Sequence, residues 1–501
     1  MQAPAVRYDR WNAPAEDGKL LIWPASAELL EDTRNNQRRL SGADSILIQN
    51  VPLSDVRCKM REWLGHPDFQ PLIAAGHQAE LHHPGVWAKN ALVDAAAKKL
   101  GGRAYYFAVD TDEPKHLVLR WPGGAIPLTD DPEALSREWS GLVAPPTPAH
   151  LAEIERQFNQ AASQWGFAPL VDQFIASMRR SGMEARALPP VLTDSLHQLD
   201  WDLGLRHDAM LVSPICFSPP YLLLAYHILA RAAQFGADYN AVLDEHRRDN
   251  RIKAPGRPMP NLKIDDDSRE VPFWLDAMET GQRRRATVVR FGDQWGLRLA
   301  GGEEFRFFPE MEGWRAAEDL MLWLRRFGMR LSPRALTLTA VLRLLVADQF
   351  VHGIGGGQYD QVLDALIARH LRFEPPQFSV TTATLYFPTA VDQPRVCLPC
   401  LVQEGHRLKH GVLGGRKMEL VRQIESLPRR SPQRSALFVQ MHDLLSAAWT
   451  TAQVRTWEQT FRAAEEQHQR QRVLFDRELF YAIQPRDRLV ALIDRYRAEL
   501  K

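Results

Sequence analysis

Four stretches of the sequence concentrate side chains that can do chemistry. The richest runs from Gly76 to His116 and holds Gly76, His77, Gln78, His82, His83, Gly85, Lys89, Asp110, Asp112, Glu113 and His116. Imidazoles and carboxylates at this density can exchange protons near neutral pH. A helix starting near Gly85 would offer free backbone N–H groups to a phosphate or carboxylate, and Lys89, one turn on, could neutralise the same anion. The competing reading places His82 and His83 on a loop surface and makes Asp110 and Asp112 helix caps. A metal site built from His77, His82, Asp110, Asp112 and His116 is a further alternative, although their spacing matches no standard metal motif.

The second stretch is Phe350-Val-His-Gly-Ile-Gly-Gly-Gly-Gln-Tyr-Asp360. Strand, glycine turn and helix in that order can cradle a phosphate. It fits neither the Walker pattern nor a full GxGxxG. If it binds a ligand, His352, Gly355, Gly356, Tyr359 and Asp360 stand at the sheet edge; otherwise the glycines serve a tight turn that needs their dihedrals. The third is Cys397-Leu-Pro-Cys400 with His406 and His410, which could hold zinc or act as a redox pair. The gap between the pairs is much shorter than a zinc finger uses, so a pair of free cysteines in a loop is the favoured reading. The fourth is the basic, Gln-rich end, including Arg429-Arg430 and Gln467–Arg472. It reads as a solvated helix face or as a coiled coil that pairs two chains.

The elements around these stretches suggest how they are held. Pro71-Leu-Ile-Ala-Ala75 is a short apolar run of strand type, broken by Gly76-His77-Gln78. Val86 to Leu100 is helical in pattern, stopped by Gly101-Gly102. Arg103 to Val109 is aromatic and apolar and reads as a second strand. Strand, helix, strand at this spacing is a βαβ unit, whose parallel strands imply an α/β sheet. The carboxyl ends of both strands then bring Gly76-His77-Gln78 and Asp110-Thr111-Asp112 to one edge, where open α/β sheets bind ligands. A charged helix is expected around Ser26–Arg39, helices over 149–205 and 219–248, and a return to the sheet over 205–214. Antiparallel strands are expected over 283–308, a helix over 335–348, a short strand over 349–354 and a helix over 358–371. Two long helices, broken near Pro428–Pro432, are expected to fill 416–500.

A chain of 501 residues is too long for one ordinary core. Hydrophobic residues at 45% and charged residues at 25% exclude a disordered, collagenous or disulfide-scaffold protein. A formal charge of +1 lacks the surplus of a dedicated nucleic-acid binder. Four cysteines suggest a reducing compartment. The amino terminus lacks a secretory pattern, and no apolar run reaches the ~20 residues of a membrane span, so a cytoplasmic location without membrane contact is expected.

The order of these pieces resembles the bacillithiol-biosynthesis cysteine-adding enzyme family, the BshC-type cysteine ligases. That family has a strand ending in Gly-Gln-Gln, a glycine/proline turn, a Lys-bearing helix and an acidic Glu-Asp-His-Asp stretch after the next strand. Here the matching positions are Gly76-His77-Gln78, His83-Pro84-Gly85, Lys89 and Val109-Asp110-Thr111-Asp112. Farther on, a Leu-Thr-Pro helix with an Arg and a Gly-Gly-Pro-x-Glu turn before a Tyr-bearing helix correspond to Leu336-Thr337-Leu338-Thr339, Arg343 and Gly355-Gly356-Gly357-Gln358-Tyr359. His77 stands for the family's first Gln, Val109 for its Glu, Thr111 for its His, and Gln358 near its Glu.

The resemblance implies a Rossmann-like parallel-sheet core with helical insertions and a C-terminal helical coiled-coil hairpin. On that plan residues 1–125 are the first half of the core, 126–205 a helical insertion and 206–250 a continuation of the core. Residues 251–315 are then a connecting insertion with short strands, 316–415 the second half and 416–501 the coiled coil. It also implies a nucleotide site for ATP or ADP with magnesium, and addition of cysteine or a similar amino acid to the amine of an amino-sugar or other small molecule. Asp110, Asp112 and His77 are then the catalytic candidates. Gly76, Gln78, His83, Gly85, Lys89, His116, Arg343, His352, Gly355, Gly356, Tyr359 and Asp360 are the binding candidates, and zinc at Cys397, Cys400, His406 and His410 is the metal alternative. Rival expectations are a metal-dependent hydrolase using the His/Asp cluster and a non-catalytic protein with a degenerate Rossmann core that assembles as a homodimer through its C-terminal helices.

Overall fold

Leu72-Ile-Ala-Ala75 is apolar on both faces, as a strand covered from two sides must be. In a computed structural model it forms the middle of a six-stranded sheet. The structure describes residues 11–66, 70–254, 256–257, 259–308, 313–334, 336–390, 396–411, 413–449 and 452–500. Across the sheet the strands are Leu20–Trp23, Phe378–Ala383, Gln349–His352, Leu72–Gln78, Arg103–Val109 and Asp208–Leu211. All neighbours run parallel except Leu20–Trp23, which closes one edge antiparallel to Phe378–Ala383. The chain therefore steps from Leu72–Gln78 one way to Asp208–Leu211. It then returns to the other side of Leu72–Gln78 with Gln349–His352 and Phe378–Ala383.

The central strand runs through Gln78, beyond the break expected at Gly76. Gly76, His77 and Gln78 pair with Phe107, Ala108 and Val109. A Cβ at Gly76 would sit 2.9 Å from the Phe107 carbonyl oxygen, so only glycine lets the strands pair so closely there. The following helix is Pro84–Leu100, two residues earlier than its apolar pattern suggests. Proline at its first position suits a site whose N–H needs no partner. The His83 side chain caps it by accepting from the Gly85 N–H, and Gly101 ends it in the left-handed region at φ 63°. Its face is rich in alanine and is buried from Pro84 to Ala97 between the sheet and the Arg486–Glu499 helix. That last helix buries Leu489, Leu492, Ile493 and Tyr496, spaced along one helical stripe.

A second sheet is antiparallel throughout, ordered Glu304–Phe307, Gln294–Arg298, Gln282–Phe291, Ser268–Ala277 and Met329–Pro333. It extends the connecting insertion to Pro333, past the expected limit at 315, because Met329–Pro333 pairs with Ser268–Ala277. Helices Pro148–Ala162, Val171–Ser181 and Leu188–Asp202 occupy the stretch over 149–205 expected to be helical. The 219–248 helix is two helices, meeting at Arg231.

The chain divides into two units, Met1–Leu385 with Arg477–Lys501, and Tyr386–Asp476. The smaller unit begins and ends earlier than the 416–501 stretch expected from the sequence, and the chain after Asp476 belongs to the larger unit. The smaller unit holds the α-helices Leu398–Gly411, Gly414–Glu425, Pro432–Ala448 and Ala452–Leu474 among its described residues; the last three, with Arg486–Glu499 of the larger unit, stand where two long helices were expected over 416–500. Leu398–Gly411 packs on Ala452–Leu474, and Gly414–Glu425 and Pro432–Ala448 close over Leu420, Ile424, Met441 and Leu445. Among the described residues no helix is long and apolar enough to cross a membrane.

One buried carboxylate ties the two central strands at their amino ends. Asp348 accepts from Arg57 at 2.6 Å, from Arg61 at 3.1 Å and from the Leu72 N–H at 2.7 Å. Its side chain and both guanidinium groups are at most 3% exposed. Removing one partner of such a cluster leaves buried charge uncompensated. Asp348→Ala is therefore expected to lower stability by about 3–5 kcal/mol, read as a shift in the urea midpoint followed by far-UV circular dichroism. A midpoint within error of wild type would show that the cluster is dispensable.

Candidate functional site

The strand order reverses between Leu72–Gln78 and Gln349–His352, and both strands end at the same sheet edge. In open parallel sheets this reversal opens a crevice beyond the carboxyl ends of the strands. Each of the two strands is followed there by a helix. Pro84–Leu100 begins after His83, and Ile354–Leu366 begins after Gly353.

On the first side, His77 and Gln78 stand at the strand end. His77 Nδ1 lies 3.1 Å from Glu80 Oε1, with 26% of the His77 side chain exposed and 7% of Glu80. Gln78 Nε2 donates to Asp112 Oδ2 at 3.1 Å. The His82 ring packs edge-on to His77 with centroids 5.4 Å apart, and its Nε2 is 3.1 Å from the Tyr106 hydroxyl. Burial holds His77 well below the usual imidazole range, and Lys89 adds to that effect. Burial also pushes His82 and His83 down to about 3, reinforced by His77 at His82 and by Arg477 at His83. Burial therefore keeps all three rings neutral near pH 7 and opposes their taking up a proton. Glu80 is raised by burial, against the pull of His82, His116 and Lys89.

Lys89 does not reach out to an anion, contrary to the sequence expectation. It is buried, donates to the Gly76 carbonyl oxygen at 2.6 Å, and burial lowers it to about 7 against the opposing pull of Glu80. It locks the strand end from beneath. Asp110 is likewise inside, 4% exposed, with Oδ1 accepting from the Ser213 N–H at 2.8 Å. Its backbone carbonyl accepts from Gly141, and that of Asp112 from Ser140. Burial raises both carboxyls, opposed at Asp110 by its Ser213 hydrogen bonds and at Asp112 by Gln78 and Arg283. Asp112 is the more accessible of the two. His116 is exposed, with a left-handed backbone at φ 46°. His82 and His83 are not loop surface residues: His82 is buried, and His83 is a helix cap.

Arg477 was not legible in the sequence as part of this site. Its guanidinium donates to Thr382 Oγ1 at 2.8 Å and to the Ala383 carbonyl at 3.2 Å. A Cβ at Gly85 would lie 2.5 Å from Arg477 Nη2 and 2.6 Å from Thr382 Oγ1, so a larger residue there would push both side chains aside. A guanidinium at a helix amino end adds its positive charge to that of the dipole, which favours an anion nearby. Glu80, Tyr106 and Ser213 are the other members that the sequence does not announce. Only Glu80 carries a local signal, three residues after His77.

On the second side, the glycines begin a helix rather than form a turn before it. None of Gly353, Gly355, Gly356 and Gly357 has a positive φ, so left-handed dihedrals do not explain them. Gly356 and Gly357 are packed: a Cβ would lie 2.8 Å from His352 Nδ1 at Gly356 and 3.1 Å from Trp11 Cζ3 at Gly357. Gly353 and Gly355 have nothing within 4 Å of a Cβ, so the space above them is open. Tyr359 is 48% exposed. His352, Asp360 and Arg343 lie beneath as a buried chain. His352 Nε2 and Arg343 Nη1 stand 2.8 Å and 2.6 Å from Asp360 Oδ2, and Arg343 also meets Asp364 at 2.6 Å. Burial works against the Asp360 charge, yet His352 and Arg343 hold its carboxyl well below the usual range. Arg343 and Asp360, expected as binding residues, therefore brace the glycine-rich helix from inside.

Cys397, Cys400 and His406 lie in the Tyr386–Asp476 unit, and the His410 side chain lies outside the described residues. Cys397 and Cys400 form a disulfide at the start of the Leu398–Gly411 helix, not the free pair in a loop that the sequence favours. One continuous helix also carries His406 roughly 13 Å along its axis from Cys397, at 1.5 Å per residue, too far for one tetrahedral site. Among the described residues, no three His, Cys, Asp and Glu side chains are grouped to hold a metal ion.

The histidine pKa values fix a sign. His82 and His83 take up a proton near pH 6.5 when unfolded but only near about 3 when folded. Between these limits the unfolded chain holds more protons, so stability falls as pH drops below about 6.5. The slope is up to roughly 1.4 kcal/mol per pH unit for each ring. Melting temperatures from pH 7.5 to 4.5 should fall less steeply in His82→Gln than in wild type. Equal slopes would show that His82 protonates alike in both states.

Compared with known proteins, the chain matches no family model and no curated protein.

Proposed function

We propose that the protein is a nucleotide-using ligase with a Rossmann-like core. It would join cysteine, or a similar amino acid, to the amine of an amino-sugar or another small molecule. The observation that carries the reading is the pair of helix amino ends that follow the two strands on either side of the reversal, where open parallel sheets bind ligands. One is bordered by Arg477 and the other is left open at Gly353 and Gly355. The Ile354–Leu366 helix start carries no side-chain cap, so its N–H groups, together with the Arg477 guanidinium, suit the phosphates of a nucleotide; at the Pro84–Leu100 start His83 caps the Gly85 N–H, and the phosphate would have to displace that cap. Open space over two glycines that need no special dihedral suits close approach of those phosphates to the backbone.

The remaining side chains fit amide formation from an activated carboxyl group. An attacking amine must lose a proton. His77, neutral and partly exposed at the strand end beside Glu80, is the proposed general base. Gln78 and Asp112 form a linked polar pair beside it that can orient an ammonium group, and Asp112 is placed better than Asp110 to meet a magnesium ion. Asp110, Lys89, Arg343 and Asp360 keep these groups in position. The resemblance in sequence layout supplies the choice of cysteine and an amino-sugar; the crevice supplies the anion and base chemistry.

The test is thermal stability with and without ATP, ADP and magnesium, for wild type and Gly355→Val. A ligand bound only by the folded state at a hundredfold excess over its Kd stabilises by about 2.7 kcal/mol. Wild type is expected to gain stability with the magnesium nucleotide. Gly355→Val should melt like wild type alone, since its side chain meets open space, yet lose the gain. ATP consumption should then require both an amino acid and an amine, and fall at least about a hundredfold in His77→Ala, within the usual range for loss of a general base. No stabilisation by any nucleotide would overturn the proposal.

A further inference from the structure

Cys397 and Cys400 are bonded to each other across the start of the Leu398–Gly411 helix, and both residues are exposed. Cys397 immediately precedes the helix, and the Cys400 backbone N–H donates to Cys397 Sγ at 3.2 Å. The sulfur thus occupies the capping position, where free N–H groups favour a thiolate over a thiol. Pro399 falls in the first turn, where its missing N–H costs no helical hydrogen bond. The mount is firm. The Val396 N–H donates to Gln471 Oε1 at 3.4 Å, and the Trp457 indole N–H donates to the Leu401 carbonyl at 2.9 Å. Gly405 packs directly beneath the Trp457 ring.

A structural role explains this bond poorly. A bridge between residues three apart closes a very short loop and restrains the unfolded chain little. Exposed disulfides are the ones that exchange, and in a reducing compartment those present are usually catalytic or redox-sensing. Cys216 makes the contrast within the same chain: it is buried, and burial pushes its thiol up to about 12.

We propose that Cys397–Cys400 is a thiol–disulfide exchange site, with Cys397 as the sulfur that is attacked and that attacks. The co-reactant is a dithiol or a pair of low-molecular-weight thiols. A thiolate of the reductant attacks Cys397 Sγ, the Cys397–Cys400 bond breaks, and Cys400 leaves with the electron pair and takes up a proton. The second thiol of the reductant then attacks the sulfur already joined to Cys397. A disulfide forms in the reductant, and Cys397 leaves as the thiolate. The protein gains two electrons and the reductant loses them. The reverse sequence oxidises a substrate dithiol.

The experiment uses the full chain as wild type, Cys400→Ser and Cys397→Ser, with glutathione disulfide as the probe and peptide-resolved mass spectrometry as the readout. Melting temperatures of the two variants should match wild type, because the bond restrains little. In Cys400→Ser, Cys397 should form the mixed disulfide about threefold or more faster at pH 7 than Cys400 does in Cys397→Ser. Its rate–pH midpoint should lie at least about one pH unit lower. Wild type treated with dithiothreitol should release both thiols, and glutathione disulfide should re-form the bond. Equal rates and midpoints for the two cysteines would overturn the proposal. So would a wild-type pair that dithiothreitol leaves bonded in the folded protein, or one that alkylates fully without reduction.

Discussion

The register of the two central strands is the constraint on which the rest of the larger unit depends. Leu72 and Asp348 are far apart in sequence, yet they exchange two hydrogen bonds. The Leu72 N–H donates to the Asp348 carboxylate at 2.7 Å, and the Asp348 N–H donates to the Leu72 carbonyl at 2.8 Å. Arg57 and Arg61 balance the charge from a neighbouring helix, so the carboxylate is buried without being orphaned. A slip of one residue would break this cluster and turn His77 and His352 to the opposite sheet face. Parallel pairing over so long a separation is costly in chain entropy. A buried, multiply bonded anchor at the amino ends gives that pairing one answer, and the two strands' carboxyl ends then meet at a fixed place.

That place is built from two kinds of group. An inner set of Lys89, Asp110, Arg343 and Asp360 is buried and internally bonded, with half-buried Asp364 joined to Arg343, and it sets the shape of the strand ends and helix starts. An outer set of His77, Gln78, Asp112, Gly353 and Gly355 faces accessible space. Neutral imidazoles dominate the first side, while Arg477 and the helix ends bring positive potential to the same edge. An anion and a proton acceptor can therefore be held side by side without neutralising each other.

Much of this was legible in residue patterns. The Val86–Leu100 periodicity, the Gly101 stop and the aromatic Arg103–Val109 run define a βαβ unit, and its parallel order brings His77 and Asp112 to one edge. The reversal point was not legible, because it depends on which side of Leu72–Gln78 the Gln349–His352 strand pairs. Lys89 was misjudged because helical spacing shows that it is one turn from Gly85 but not which way it turns. Arg477 had no local signal at all. The basic carboxyl end reads as one helical unit by composition, but Leu489, Leu492, Ile493 and Tyr496 find their apolar partner in the buried Pro84–Leu100 helix. The glycines at 353–357 suggested a turn because glycine is usually read through its dihedrals; here two of them are packed and two face open space.

The central claim is that the two helix amino ends at the strand reversal bind the phosphates of one nucleotide. Amide hydrogen exchange followed by mass spectrometry, with and without ATP and magnesium, tests it directly. The account predicts slowed exchange in two separate segments, residues 83–89 and 353–357, with the sheet strands between them unchanged. Protection confined to one segment, or found only elsewhere in the chain, would contradict it.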